Sequence, residues 1–499
     1  MKQNTIRLIA ALLAVASAGV VATSCANQES EAGAQPSGTS APDSSAAETE
    51  PEDYDSLEAR KKVSDELSDT KFDGQKYRVL TYNSSENYIA TPEAQHGDVL
   101  EDAVYERNKK IEERFDVIID VTKNTSHRET GALLEKTVAS TSDDFDVYAG
   151  HAIVSGGNAV NGMFINWKDV EHVNFSKPWW NQNSVEALTL NDRLYLVPTY
   201  YTTTVIGATY CMFYNKAIAA NNNLESIYDI VNNQEWTLEK MLSTIEGTYH
   251  DLNGNGKEDA DDAYGFASSV QSPTVTFTWA FDMKIIDIDE GFNVEIVLDS
   301  ERNADIYASV YDLFYNTTGV TRANGNQQYG VETFLKGNTL LCTGHFDNAY
   351  ASLREFEDPY AVIPYPKYDE KQKEYYSMLD GFHAVIGVPK TATHLDLLGI
   401  ITEAMTAESW KDIIPKYYDV ALKIKGARGD EESIAMMDLI MDAVKVDFTY
   451  IYDNWNGYAF TLQDLIGTKN QNFASFVESK KKAKLKWYEK VVKAFVEND

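Results

Sequence analysis

Tyr77-Arg78-Val79-Leu80-Thr81-Tyr82 is an alternating run rich in strand formers that breaks at Asn83-Ser84-Ser85, and it reads as a first strand. After Gly97-Asp98, the residues Leu100, Val104, Ile111 and Phe115 recur at helical spacing. Phe115-Asp116-Val117-Ile118-Ile119-Asp120-Val121 then follows as a second strand. The alternation returns at 132–141 with 145–149, and again at 208–214 with a helix over 236–246. An α/β architecture with largely parallel sheets is expected. Beyond Thr393 the pattern turns mostly helical, with apolar stripes over 395–405, 431–444 and 472–496. No internal repeat interrupts this order.

The chain has 499 residues, more than one hydrophobic core usually serves, so two or more compact units are expected. An apolar fraction of 43%, with 20 Phe, 30 Tyr and 8 Trp, excludes wholesale disorder. Net charge is −33, from 44 basic against 77 acidic residues, which repels nucleic acid and anionic lipid at long range and favours a neutral or cationic ligand.

The N-terminus reads as an export signal. Lys2 and Arg7 precede an apolar run over 8–21 that is too short to span a bilayer. It ends in Ala22-Thr23-Ser24-Cys25, which resembles a bacterial lipobox, although Ala22 stands where Leu is usual and Ser24 where Ala or Gly is usual. Two readings fit: Cys25 is acylated and anchors the chain to the outer face of the membrane, or the segment is an ordinary secretory signal. Both place the protein outside the cytoplasm. From Ala26 to about Glu58 the chain is Ser, Ala, Glu, Pro and Gly with almost no large apolar residues, so 26–72 is assigned as a disordered tether. Cys211 and Cys342 are too few for a disulfide scaffold and are read as buried small hydrophobes, with one bond between them left open.

The sharpest local motif is Asp251-Leu252-Asn253-Gly254-Asn255-Gly256-Lys257-Glu258-Asp259-Ala260-Asp261-Asp262. It matches an EF-hand loop, with side-chain oxygens from Asp251, Asn253, Asn255, Asp259 and Asp262, and the backbone carbonyl of Lys257 at the seventh position. Asp262 replaces the usual bidentate Glu. A structural calcium staple is expected; the alternative is an Asn/Gly turn with a solvated acidic fringe. Aromatics form the second signal. Trp179-Trp180, Tyr200-Tyr201, Trp279, Phe281 and Trp455 fall in or beside expected loops, where rings stack on the apolar C–H faces of sugars. Singly, each is more often core. Asn83, Asp282, His345, Asp347 and Asp380 supply hydrogen bonds for hydroxyls, and each doubles as an ordinary turn or cap residue. Met436, Met437 and Met441 read as core packing, and Lys480-Lys481-Lys482 with Lys484 and Lys486 as a solvated helix face.

In order and spacing these motifs resemble the family 1 extracellular solute-binding proteins, the maltodextrin-binding type. The resemblance runs from about Tyr77 to the C-terminus. It is carried by Ala103-Val104-Tyr105-Glu106-Arg107-Asn108, Pro178-Trp179-Trp180, Phe213-Tyr214-Asn215-Lys216, Trp236-Thr237-Leu238-Glu239-Lys240-Met241, the 251–262 loop with Tyr264-Gly265-Phe266, Phe334-Leu335-Lys336-Gly337, and 363–370. It implies a two-lobe periplasmic-binding-protein-like fold (type II), each lobe a mostly parallel sheet flanked by helices, with hinge strands between. It places the first lobe at 73–202 with 381–425 and the second at 203–380 with 426–499, with a last crossing near 423–428. The implied function is capture of a carbohydrate for delivery to the membrane subunits of an ABC importer by a monomer. The resemblance places Trp279, the segment with His345 and Asp347, and Trp455 where ligand is often met, whereas Asn83 and Trp180 in the first lobe do not align clearly; Tyr201, Asp282 and Asp380 are expected contacts from the aromatic and polar reading above. A surface glycan sensor on the same scaffold is the alternative. A glycoside hydrolase would need a carboxylate pair, but no hydrolase, P-loop, zinc-helix or dinucleotide motif is found, so no enzyme is expected.

Overall fold

Buried alternation builds the first sheet. β1 (Gln75–Tyr82) turns Tyr77, Val79 and Leu80 fully inward and pairs in parallel with β2 (Val117–Asn124), Gln75 opposite Val117 and Tyr82 opposite Asn124. The helix Val99–Phe115 connects them, burying Val104, Ile111 and Phe115; Asp116 at φ +52 turns the chain out of the helix and into β2. β3 (Val147–His151), buried throughout, lies parallel on the other side of β1. Helices cover such a sheet on both faces, which is why β3 is apolar on both.

The rest of the strands follow in chain order: β4 (Phe164–Ile165), β5 (Val197–Pro198), β6 (Tyr210–Asn215), β7 (Tyr264–Ser269), β8 (Ile286–Ile288), β9 (Val294–Ile296), β10 (Val320–Ala323), β11 (Thr339–His345), β12 (Tyr360–Ile363), β13 (Ser377–Met378), β14 (Ala384–Pro389) and β15 (Val444–Lys445). Among the described residues the first sheet has six strands in the order β2-β1-β3-β14-β4, with β5 also on β14. The second has five in the order β10-β7-β11-β6-β12. β10 and β11 run parallel to β7, whereas β6 and β14 enter antiparallel to their neighbours. The structure is a computed structural model that describes residues 56–82, 89, 99–259, 261–455 and 457–497. These fall in the unit Asp53–Asp499. The export signal, Cys25, most of the tether and Asn83 lie outside the described residues. Among those described, no helix is long and apolar enough to cross a membrane.

The chain passes between the sheets after β5 and returns before β14, and the two passages lie side by side. Thr209 bridges Leu379, the Asp380 N–H donates to the Ala208 carbonyl at 2.9 Å, and the Ser377 hydroxyl donates to the Tyr210 carbonyl at 2.6 Å. A third passage is helical. Leu395–Glu408 packs under β1, then continues through π-helical turns at Ser409–Ile413 and Lys416–Gly426, the latter lying against Phe346–Ala351 beside the second sheet. The crossing expected near 423–428 thus begins earlier and is wound as helix. The C-terminal helices straddle both sheets: Phe448–Tyr452 packs on Ala152–Val160 and Thr461–Gly467 on Ser272–Ala280. The last helix, Phe473–Val496, touches β9, and the Ala494 carbonyl in its final turn accepts the Tyr195 hydroxyl at 3.0 Å. Cys211 and Cys342 stand as buried free thiols on the neighbouring strands β6 and β11.

The contact between Ala152–Val160 and Phe448–Tyr452 depends on Gly156, where a Cβ would collide with the Ile451 carbonyl oxygen. Gly157, one residue on, has nothing within 4 Å of its Cβ position. Gly156→Ala should therefore lower the melting temperature, at a cost of about 1–3 kcal/mol. Gly157→Ala should hold or raise it, by about 0.5–1 kcal/mol for a helical glycine. Circular-dichroism melts of the two variants check the pair; equal melting would refute the close approach.

Candidate functional site: a cleft between two strand edges

Parallel strands end together, so β1, β2 and β3 present Tyr82, Asn124 and His151 along one carboxyl edge. β11 likewise ends at His345 beside the ends of β7 and β10. Loops and helix starts at such edges are where α/β sheets hold ligands. Between the two edges lies a cleft of about 750 Å³. One wall is Tyr82 with Thr125, Ser126 and His127, at the start of the helix His127–Ala139, whose N-cap Ser126 accepts the Glu129 N–H. The facing wall is Gln328, Glu332, His345, Asp347 and Asn348, with Phe382 of the return passage between the walls. The Asn348 side chain ties this second wall together, accepting the His345 N–H at 2.9 Å and donating to the Gln328 side chain at 3.0 Å. The Tyr82 hydroxyl donates to the Phe382 carbonyl and joins the first edge to that passage.

The first wall is an aromatic cluster. The His127 and His151 ring centroids are 4.6 Å apart, and Trp455, 43% exposed, lies 5.3 Å from His151 and 6.2 Å from His127. Burial pushes the His151 imidazole well below its ordinary pKa, with neighbouring His127 and His383 adding to the effect. His127 is lowered by partial burial and then by Arg128. Burial brings His383 down to about 4, although its Nδ1 lies 2.7 Å from the Asp380 carbonyl. These imidazoles are neutral near pH 7, so the wall is stacking surface and not a cationic one.

The expected contact residues divide three ways. His345 and Asp347 line the cleft and Trp455 stands on its aromatic side. Trp279 and Asp282 line a separate cleft of about 380 Å³, where Asp282 pairs with Lys445 at 2.7 Å. Trp180 and Tyr201 require correction: both are buried in the first sheet's core. The Trp180 indole donates to Glu403 at 2.9 Å, beside the Trp179 indole at 2.8 Å, because this carboxylate inside an apolar helix needs donors. The Tyr201 hydroxyl meets that of Tyr77 at 3.2 Å. Asp380 is also buried and serves the passages, accepting the Tyr210 hydroxyl at 2.5 Å, the Gln327 amide at 2.7 Å and the Phe382 N–H at 3.0 Å. Sequence reasoning missed Tyr82, His127, His151, Gln328, Glu332, Asn348 and Phe382. One signal was present: Ser126-His127-Arg128-Glu129 is a helix-start pattern directly after a strand.

The 251–262 loop folds around Asp251, which accepts the Gly254 and Gly256 N–H groups, each at 2.7 Å. Gly256 needs its left-handed φ of +72. The Asn253 and Asn255 side-chain oxygens accept the Asn255 and Lys257 N–H groups, and both amides reach Asp259. Asp262 is fully buried and accepts the Tyr249 hydroxyl at 3.0 Å. Three carboxylates and two side-chain amides thus share one turn, their oxygens taken up by hydrogen bonds within the loop and to Tyr249.

Among solved structures, the fold is similar to an ABC substrate-binding protein from Listeria monocytogenes in complex with cycloalternan. The identity is 11%, the TM-score 0.53, and 86% of this chain and 100% of that one are covered. It is also similar to the GacH receptor of Streptomyces glaucescens, known with acarbose, at 13% identity and TM-score 0.51 over 85% and 99% of the chains. A solute-binding protein from Thermotoga lettingae bound with α-D-tagatose matches at 13% identity and TM-score 0.54, over 84% and 100%. No family model and no curated protein matches the sequence. The chain has the two-lobe α/β fold of solute-binding proteins, as expected from the sequence.

Trp455 owes its position to a buried charge two residues earlier. The Asp453 carboxylate accepts the Ala459 N–H at 3.0 Å and the Tyr488 hydroxyl at 2.7 Å, with Lys484 Nζ at 3.9 Å. Burial pushes Asp453 up to about 7, outweighing the lysine. A raised folded pKa contributes stability that is full below the ordinary carboxylate range and is lost as pH rises through about 7. Asp453→Asn should therefore gain melting temperature relative to the wild type as pH rises from about 4 to 7. Thermal melts across that range check it; parallel profiles would refute the assignment.

Proposed function

We propose that this chain is an extracytoplasmic receptor that captures a carbohydrate between its two lobes and hands it unchanged to an ABC importer. The observation that carries the reading is the cleft itself: two carboxyl strand edges face each other, one furnished with aromatic rings and the other with amide, carboxylate and imidazole groups. Rings take the C–H faces of a sugar while the polar wall takes its hydroxyls. The similar folds named above support it, since each of those proteins is described with a sugar or sugar-like ligand. Lobes joined by adjacent passages suit closure about a hinge. The proposal includes anchoring through acylated Cys25, action as a monomer, and a calcium ion held by Asp251, Asn253, Asn255, the Lys257 carbonyl, Asp259 and Asp262 as a staple remote from any chemistry.

Isothermal titration with cycloalternan, acarbose and maltotriose should show saturable binding with the ligand recovered intact. Trp455→Ala should weaken that binding about tenfold, the loss of one stacking contact. Absence of binding across a broad oligosaccharide panel, or turnover of the ligand, would overturn the reading. Separately, a chelator should lower the melting temperature by several degrees, calcium should restore it, and Asp251→Ala should abolish the response; a chelator-insensitive melt would remove the calcium staple.

A further inference from the structure

The cleft of about 380 Å³ is large enough for a small ligand and shares no lining residue with the cleft between the strand edges. Trp279, at the end of the helix Ser272–Ala280, lines it together with Met283, Ile285, Ile286 and Ile288, which lead into the β8–β9 hairpin. Lys445 at the end of β15, Asp447 and Phe448 line it from another segment. Ring and aliphatic surface thus adjoins an ion pair, Lys445 with Asp282 at 2.7 Å. The charges left are Lys284 against Asp287 and Asp447, so neither sign dominates and a neutral ligand is favoured.

Trp279, Lys445 and Asp447 also line a void of about 10 Å³, which Leu379 and His383 of the return passage line too. Trp279 and His383 are both buried, and among the described residues neither Trp279 Nε1 nor His383 Nε2 has a hydrogen-bond partner. Their roles are fixed. An indole N–H only donates. The His383 Nδ1 lies 2.7 Å from the Asp380 carbonyl oxygen, which only accepts, so Nδ1 carries the proton. Burial keeps the ring neutral, with its pKa at about 4, and Nε2 is therefore an acceptor. A buried donor and a buried acceptor left unmet cost stability, and one group that both accepts and donates answers both. A hydroxyl is such a group, and the void has room for one oxygen. Water would serve there as well, but water has no use for the apolar, ring-lined cleft beside it.

We infer that this cleft is a second ligand site, separate from the one between the strand edges, for a neutral polyol the size of one sugar ring. The C–H face of the ligand lies against Trp279 and the aliphatic side chains, and one hydroxyl enters the void, accepting from the Trp279 indole and donating to His383 Nε2. The site goes beyond the receptor reading, since it is built from other residues.

The test is proton–nitrogen correlation spectroscopy of the indole N–H groups in the full folded chain, titrated with D-glucose, myo-inositol and per-O-methylated glucose. Trp279→Phe and Trp455→Ala assign their signals by loss. D-Glucose or myo-inositol should move the Trp279 signal saturably at millimolar concentration, and equally in Trp455→Ala. The methylated sugar accepts but cannot donate, and should bind about tenfold or more weakly because it leaves Nε2 unmet. Ile288→Tyr, on the hairpin, fills the cleft without altering the indole and should abolish the shift, which guards against misfolding of Trp279→Phe. A Trp279 signal unmoved by both polyols, a shift lost in Trp455→Ala, or equal binding of the methylated sugar overturns the inference. The receptor reading is judged apart, by the Trp455 signal: its response to maltotriose upholds that reading whatever Trp279 does, and a response of Trp279 alone upholds only the second site.

Discussion

One buried carboxylate organises the junction between the sheets. Asp380 lies on the passage that returns to the first sheet, where it is cut off from water and must be met by donors. Those donors come from three places: Tyr210 at the start of β6, Gln327 after β10, and Phe382 two residues on. Satisfying the charge draws the outgoing strand, a loop of the second sheet and the return passage to one point. His345 sits next to β6 by the β11 pairing, and Tyr82 is tied to Phe382, so both walls of the cleft are positioned from this junction.

Two other buried carboxylates serve the same economy of placement. Glu403, pushed up to about 7 by burial, is met by the Trp179 and Trp180 indoles and by the Asn174 N–H. It pins a Trp-Trp loop against the helix beneath β1. Asp453, also raised to about 7, holds the turn that presents Trp455. Removing one partner from such a site leaves a polar group unmet, which costs more than the bond itself contributes. The fold is shared with solute-binding proteins at only 11–13% identity, so architecture survives on pattern while the loops at the strand edges set what is bound.

Much of the architecture was legible in local pattern. The alternation at 77–82, the helical spacing from Leu100 to Phe115 and the apolar run after Asp116 recur as β1, the Val99–Phe115 helix and β2, because each element must bury one face. The C-terminal helices are equally visible in their stripes. The helical passage at 409–426 was harder, since a π-helical register leaves no 3.6-residue stripe to follow. Among site residues, His345 and Asp347 lie in a segment that the resemblance singled out, whereas His127 and His151 fall in no distinctive composition and meet only when β2 and β3 end beside β1.

By itself, then, the sequence determined the α/β class, the acidic charge that disfavours anionic partners, and the spacing of oxygen donors in the 251–262 loop. These are local or summed properties, set by periodicity and composition. Tertiary structure alone decided which aromatics wall the cleft and which fill the core. Trp180 and Trp455 are indistinguishable as letters, but one meets a buried glutamate and the other emerges beside two imidazoles, because burial depends on which distant segments converge.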